Sequence, residues 1–188
     1  MRLAGRAAFI TGAAKGIGLA VAKAFAAEGA QVALADLSGD DACAEAAAIE
    51  AECGVRAIGL DCNVADSASL KAAVDAAAKS FGKLDTLACM AATLTARLDV
   101  VDLSEEDWER TVRVNLTGSF LACKHVIPHM RTAGGGSIIE MINQVGSWFY
   151  GSLLGIFVMA LFMRRAGDLA GALGLLGGMG AVLLVHNT

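Results

Sequence analysis

Thr11-Gly12-Ala13-Ala14-Lys15-Gly16-Ile17-Gly18 follows the apolar run Ala7–Thr11 and opens a segment, 16–28, with Ile17, Val21, Ala24 and Phe25 at helical spacing before Gly29. A short apolar run, a glycine turn and a helix in direct succession predict the first strand–turn–helix unit of an α/β domain. The three glycines, spaced G-x-x-x-G-x-G, have separate physical purposes. Gly12 permits a tight turn, while Gly16 and Gly18 let the backbone and the helix N-terminus come close to a pyrophosphate. The unpaired N–H groups and the dipole of that helix favour an anion there.

The next apolar run, 31–35, ends in Asp36, eighteen residues beyond Gly18. A carboxylate at that strand end accepts hydrogen bonds from the adenosine ribose hydroxyls of a dinucleotide and repels a 2′-phosphate. Asp36 therefore favours NAD over NADP, with Lys15 in the loop pulling weakly the other way. An ordinary glycine turn and a solvated strand-end acid are the plainer readings, and the strand–loop–helix context weighs against both.

Working outward, the pattern repeats. An alanine-rich helix is expected over 40–52, a strand over 55–60, a helix over Ser67–Phe81 capped by Asp66, and a strand over 86–90. Ser104 and the acids after it open a long helix through Trp108, Val112, Leu116, Phe120 and Val126, with Pro128 marking its end region. Gly134-Gly135-Gly136 leads into a fifth strand near 137–141. Strands alternating with helices imply right-handed crossovers and a parallel sheet covered on both faces. The expected fold class is α/β, a Rossmann-like doubly wound parallel sheet ending after about five strands, followed by a hydrophobic helical hairpin.

Composition divides the chain near Glu140. Residues 1–140 hold 13 of the 15 Lys and Arg and 18 of the 19 Asp and Glu, whereas 141–188 hold Arg164, Arg165 and Asp168 alone. The front part is acidic and lacks a basic stripe, which argues against nucleic acid as a partner. Cys43, Cys53, Cys62, Cys89 and Cys123 show no metal-ligand spacing, so no metal site is expected and the thiols read as reduced, in a cytoplasmic domain. Two domains are expected: an NAD(P)-binding Rossmann-like domain, 1–140, and a hydrophobic, transmembrane helical hairpin, 141–188.

Together these residues resemble the short-chain dehydrogenase/reductase family over residues 1–140. Thr11 to Gly18 matches that family's glycine loop, and Asn63-Val64 sits where it has Asp-Val beside the adenine. Gly82-x-x-Asp85 matches the lead-in to its fourth strand, and Gly135-Gly136-Ser137-Ile138-Ile139 matches its fifth. Asn115, within Val114-Asn115-Leu116-Thr117-Gly118, falls at its active-site asparagine. The resemblance implies hydride transfer between a nicotinamide dinucleotide and a small alcohol or carbonyl. It assigns cofactor binding to Gly12, Lys15, Gly16, Ile17, Gly18, Asp36, Asn63 and Val64. The departures are equally specific. Cys89-Met90-Ala91-Ala92 replaces the family's Asn-Asn-Ala-Gly, and Asn143 stands in place of its serine. Tyr150 is followed four residues later by Leu154 rather than lysine, and a phenol near its ordinary pKa of ~10 is a poor base at neutral pH. Of the catalytic set Asn115 alone remains.

The tail adds a second resemblance. Residues 141–163 carry no charge and suffice to cross a ~30 Å hydrocarbon layer, and 169–185 follow after the Arg164-Arg165 turn. The stretch from Asn143 to Gly155 is similar to a late helix and turn of the sodium/solute symporter family, which implies membrane association but, with two helices, no transport path. The alternative, in which the tail supplies the remaining strand and helix of the dehydrogenase core, stays open. Two functional readings follow: an NAD-dependent oxidoreductase with an impaired catalytic set, or a non-catalytic nucleotide-binding fragment fused to a membrane hairpin. Substrate identity and oligomeric state are left open.

Overall fold

The computed structural model describes residues 1–93 and 101–140. Five strands, β1 (Ala7–Thr11), β2 (Gln31–Asp36), β3 (Ala57–Asp61), β4 (Thr86–Cys89) and β5 (Ser137–Glu140), form one sheet in the order β3-β2-β1-β4-β5. All four pairings are parallel. The helices α1 (Gly16–Ala27), α2 (Gly39–Cys53) and α3 (Ser67–Phe81) lie between successive strands. The long segment before β5 comprises α4 (Glu105–Val112), a π-turn (Arg113–Thr117) and α5 (Gly118–Thr132). The Rossmann-like reading of the front part therefore holds. Met1–Glu140 forms one compact unit.

Alternation along the central strands explains the layering, because successive side chains of a strand point to opposite faces. Ala7 and Phe9 of β1 join Ala33 and Ala35 of β2 and Leu87 of β4 in a core with Leu70 and Val74 of α3 and Ala122 and Val126 of α5. Ala8 and Ile10 join Val32, Leu34 and Ala88 in the opposite core, against Ala22 and Ala26 of α1 and Ala42 and Ile49 of α2. All five residues of β1 are buried, as befits the middle strand of a sheet covered on both sides. Small residues let the second layer approach closely: a Cβ at Gly59 of β3 would stand 2.2 Å from the Cys43 nitrogen of α2.

Element ends differ from the sequence expectation where side chains redirect backbone donors. β4 stops at Cys89 because the N–H groups of Met90 and Ala91 both donate to the Thr11 hydroxyl, at 3.1 Å each. The long helix runs one turn past Pro128, and the Thr132 hydroxyl donates to the Pro128 carbonyl at 3.1 Å. Its start is as expected, with the Ser104 hydroxyl accepting from the Asp107 N–H at 3.1 Å. The π-turn within it has no counterpart in the periodicity. Among the described residues no helix is long and apolar enough to cross a membrane. The expected hairpin, 141–188, lies outside them.

At the amino edge of the sheet one carboxylate joins several chain entries. Asp85 is 2% exposed, and its Oδ1 accepts from the Ala7 N–H at 3.2 Å and the Thr86 hydroxyl at 3.0 Å. Lys83 Nζ lies 2.9 Å from Oδ2 but out of line for a hydrogen bond, so that contact is a charge pair. The Asp85 carbonyl accepts from the Ser137 N–H at 2.9 Å, which registers β5. Asp85→Ala leaves the buried Ala7 donor without its carboxylate and is expected to cost about 1–3 kcal/mol of stability. Urea unfolding monitored by circular dichroism measures this; an unchanged midpoint would contradict it.

Candidate functional site

The connections from β1 and β4 leave the sheet in opposite directions at its carboxyl edge, and in open α/β sheets the crevice at such a switch point takes the ligand. Thr11 shapes this crevice. Its hydroxyl, buried with the rest of the residue, accepts from both Met90 and Ala91 and holds the chain after β4 against the glycine loop. Sequence reasoning treated Thr11 as part of a motif and missed this role.

Each glycine of the loop has a distinct structural reason. Gly12 has φ +64, and a Cβ there would stand 2.7 Å from the Ala91 Cα. Gly18 allows α1 to approach β1, since its Cβ would fall 2.1 Å from the Gly12 carbonyl oxygen. Gly16 has φ +60, and among the described residues a Cβ added there would meet nothing within 4 Å. Lys15, at the N-cap of α1, makes no side-chain cap bond, and the first turn contains no acidic residue. The positive end of the helix dipole thus opens, uncapped by side chains, next to clear space in front of Gly16. Lys15 is exposed, and so is Ile17, at 59%.

Asp36 lies at the end of β2, level with Asp61 at the end of β3. Its Oδ2 accepts from the Ala14 N–H at 3.0 Å and its Oδ1 from the Ser38 N–H at 3.1 Å. These two carboxylates make the edge acidic enough to act on Cys62. Burial, followed by the charges of Asp61 and Asp36, pushes that thiol up to about 12, so it is not a nucleophile near neutral pH. Asn63 forms a local turn, its Oδ1 accepting from the Ala65 N–H at 3.0 Å. Val64 is buried, and a Cβ on Gly118 would stand 3.0 Å from its Cγ2.

Asn115 occupies the π-turn of the long helix. Its Oδ1 accepts from the Thr93 N–H at 2.8 Å and its Nδ2 donates to the Thr93 carbonyl at 3.0 Å. This reciprocal pair ties the helix to the chain beyond β4, and the extra residue in a π-turn is a recurrent way to aim a side chain out of a regular helix. Arg113, also missed in the sequence, donates through Nε to the Ala65 carbonyl at 2.8 Å and ties the same turn to the chain after β3. Asn143, Tyr150 and Leu154 lie outside the described residues. An open groove of about 560 Å³ is lined by Trp108, Val112, Arg113 and Thr117 among others, all from the α4–π-turn segment. A furrow along one helical stretch lacks the convergent groups of a site, and the glycine-loop crevice is the better candidate.

Comparison with known proteins gives a consistent result. Residues 6–153 match the family model for short chain dehydrogenase, a match that continues past Glu140. The chain is 44% identical over 147 residues to a D-threitol dehydrogenase of Mycolicibacterium smegmatis, covering 78% of this chain and 55% of that protein. It is 42% identical over 151 residues to a trans-4-hydroxycyclohexanecarboxylate dehydrogenase of Sinomonas cyclohexanicum, covering 77% and 57%. It is 37% identical over 145 residues to a 2-dehydro-3-deoxy-L-rhamnonate dehydrogenase (NAD(+)) of a Sphingomonas species, covering 77% and 56%. The chain thus spans little more than half the length of these relatives.

The loop geometry separates two substitutions at neighbouring glycines. Gly18→Ala forces a methyl group into the Gly12 carbonyl and is expected to destabilise the domain by about 3 kcal/mol or more. Gly16→Ala meets open space and should lose only about 1–2 kcal/mol for its positive φ. Chemical denaturation of the two variants measures the difference; equal losses would contradict this account of the loop.

Proposed function

The chain belongs to the short-chain dehydrogenase family, and from that premise we propose that it binds NAD(H) in the crevice beside Gly12, Gly16 and Gly18. The observation that carries this reading is the uncapped N-terminus of α1 facing clear space at Gly16. A pyrophosphate fits there: the N-cap of α1 carries no side-chain cap bond and its first turn no acid, so the helix N–H groups and dipole can meet the charge. Ile17 offers an exposed apolar surface, and Lys15 an exposed cation, at the same loop. Asn63 and Val64 mark the side where the adenine would lie.

Asp36 accepts from the adenosine ribose hydroxyls in this reading, and the adjacent Asp61 adds to the negative field at that strand edge. A 2′-phosphate brought to two carboxylates loses roughly tenfold in affinity. NAD is therefore the proposed cofactor rather than NADP, in keeping with the NAD(+) in the name of the Sphingomonas relative.

The proposed activity is oxidoreduction between a small alcohol and the corresponding carbonyl, with the nicotinamide supplying or accepting the hydride when bound. The impairment proposed for this chain rests on its sequence. Asn143 offers an amide where a hydroxyl would orient the substrate oxygen, and Leu154 offers no cation to lower the pKa of Tyr150. Asn115, fixed by Thr93, is the one catalytic-set member assigned here, and it holds chain position rather than a proton. The second reading, a nucleotide-binding fragment joined to a membrane-seeking tail, is favoured by the charge-free stretch 141–163.

Titration of the purified chain with NADH, followed by nicotinamide fluorescence, tests the binding reading. Saturable binding about tenfold tighter than that of NADPH is expected, with carbonyl-dependent NADH oxidation far below that of the dehydrogenase relatives. Absence of saturation with either dinucleotide, or preference for NADPH, would overturn it.

A further inference from the structure

Asp36 makes more contacts than an acceptor of ribose hydroxyls needs. Its bond to the Ser38 N–H is local, two residues along, and helps turn the chain into α2, whose N-cap is Ser38. Its bond to the Ala14 N–H spans 22 residues and reaches the middle of the glycine loop. Ala14 is 6% exposed, so this donor has little access to water as an alternative acceptor. The preceding N–H, that of Ala13, donates to the Ala35 carbonyl at 3.3 Å. Two successive loop donors are thus laid along the end of β2, one on its backbone and the next on its terminal carboxylate. Gly12 and Gly16, on either side, are the points where the loop changes direction with positive φ.

We propose that Asp36 is a positioning residue that clasps the β1–α1 and β2–α2 loops together, holding the glycine loop in the conformation that receives the pyrophosphate. This inference deepens the NAD(H)-binding reading and rests on it for its functional consequence. The clasp and the ribose contact are compatible. Each carboxylate oxygen has two lone pairs, and each uses one on a backbone N–H. Without the carboxylate, Ala14 holds a buried donor with no acceptor, and the loop relaxes towards water to satisfy it. A relaxed loop must be ordered again when the dinucleotide binds, which lowers affinity for every ligand that uses the loop. Removing Asp36 therefore does more than relieve repulsion of a 2′-phosphate.

An NADH analogue lacking both adenosine ribose hydroxyls separates the two roles, because it offers Asp36 nothing to accept. Asp36→Ala is expected to bind that analogue about tenfold more weakly than the unaltered chain does. Asp36→Asn, which keeps the volume and one acceptor oxygen, is expected to fall between them, and it serves as the test if the alanine variant does not fold. Equal affinity of the folded variant and the unaltered chain for the analogue would overturn the clasp. Amide hydrogen exchange provides a readout without any ligand. The Ala14 amide should be protected in the unaltered chain and exchange at least tenfold faster in Asp36→Ala, while the amides of β1 and β4 keep their rates. Unchanged Ala14 exchange would overturn the clasp even if NADH binds. Accelerated exchange in a chain that binds no dinucleotide would instead retain the clasp and remove the binding reading.

Discussion

The carbonyl of Gly12 and the backbone of Gly18 come so close that no β-carbon fits between them. That contact sets how near α1 can lie to β1. The same strand end is held from the other side by the Thr11 hydroxyl, which takes both N–H groups of the chain leaving β4. A helix N-terminus is therefore presented at the point where the sheet's connections diverge, bounded by two backbone segments. Backbone geometry determines the site, and the side chains around it mainly keep that geometry in place.

The rest of the unit can be read as support for this edge. Small residues dominate the α1–α2 side, where Ala22, Ala26, Ala42 and Gly59 allow short helix-to-sheet distances, and larger ones fill the α3–α5 side. Asp85 secures the entries of β1, β4 and β5 at the opposite edge, so the carboxyl ends are in register where the loops begin. Buried polar groups hold backbone at both edges, Thr11 through its hydroxyl and Asp85 through Oδ1, as a sheet covered on two faces requires. Asp36 and Asp85 thus do related work at opposite ends of the strands, each joining segments distant in sequence.

The order of strands and helices was legible because each element is punctuated by a glycine, a cap or an acid at a predictable place. Ser104 and Asp66 mark two helix starts, and Gly54 and Gly82 terminate α2 and α3 in the left-handed conformation. The glycine loop was legible because its spacing has few other structural uses. Contacts between side chain and distant backbone were not. Nothing in the pattern around Ala14 announces that Asp36 receives its N–H, and Thr93 gives no sign that it pairs with Asn115 in a π-turn. Such bonds depend on which loops the sheet order brings together, and only the fold supplies that. The family match runs to residue 153, past the fall in charge near Glu140. Charge content reports the solvent a segment prefers, which is a different property from common descent.

In the proposed reading, binding and chemistry separate. The residues assigned to the dinucleotide lie around the glycine-loop crevice, whereas the positions assigned to proton handling carry Asn143 and Leu154 in the sequence. A site of that kind is expected to hold a cofactor more readily than to use it. Chemical-shift mapping of backbone amides during addition of NAD tests this most directly. The account predicts the largest shifts at Gly16, Ile17 and Gly18, with a second group at Ala14 and Asp36 to Ser38, and little change along α4. Shifts concentrated on the α4 groove, or none at saturating NAD, would contradict it.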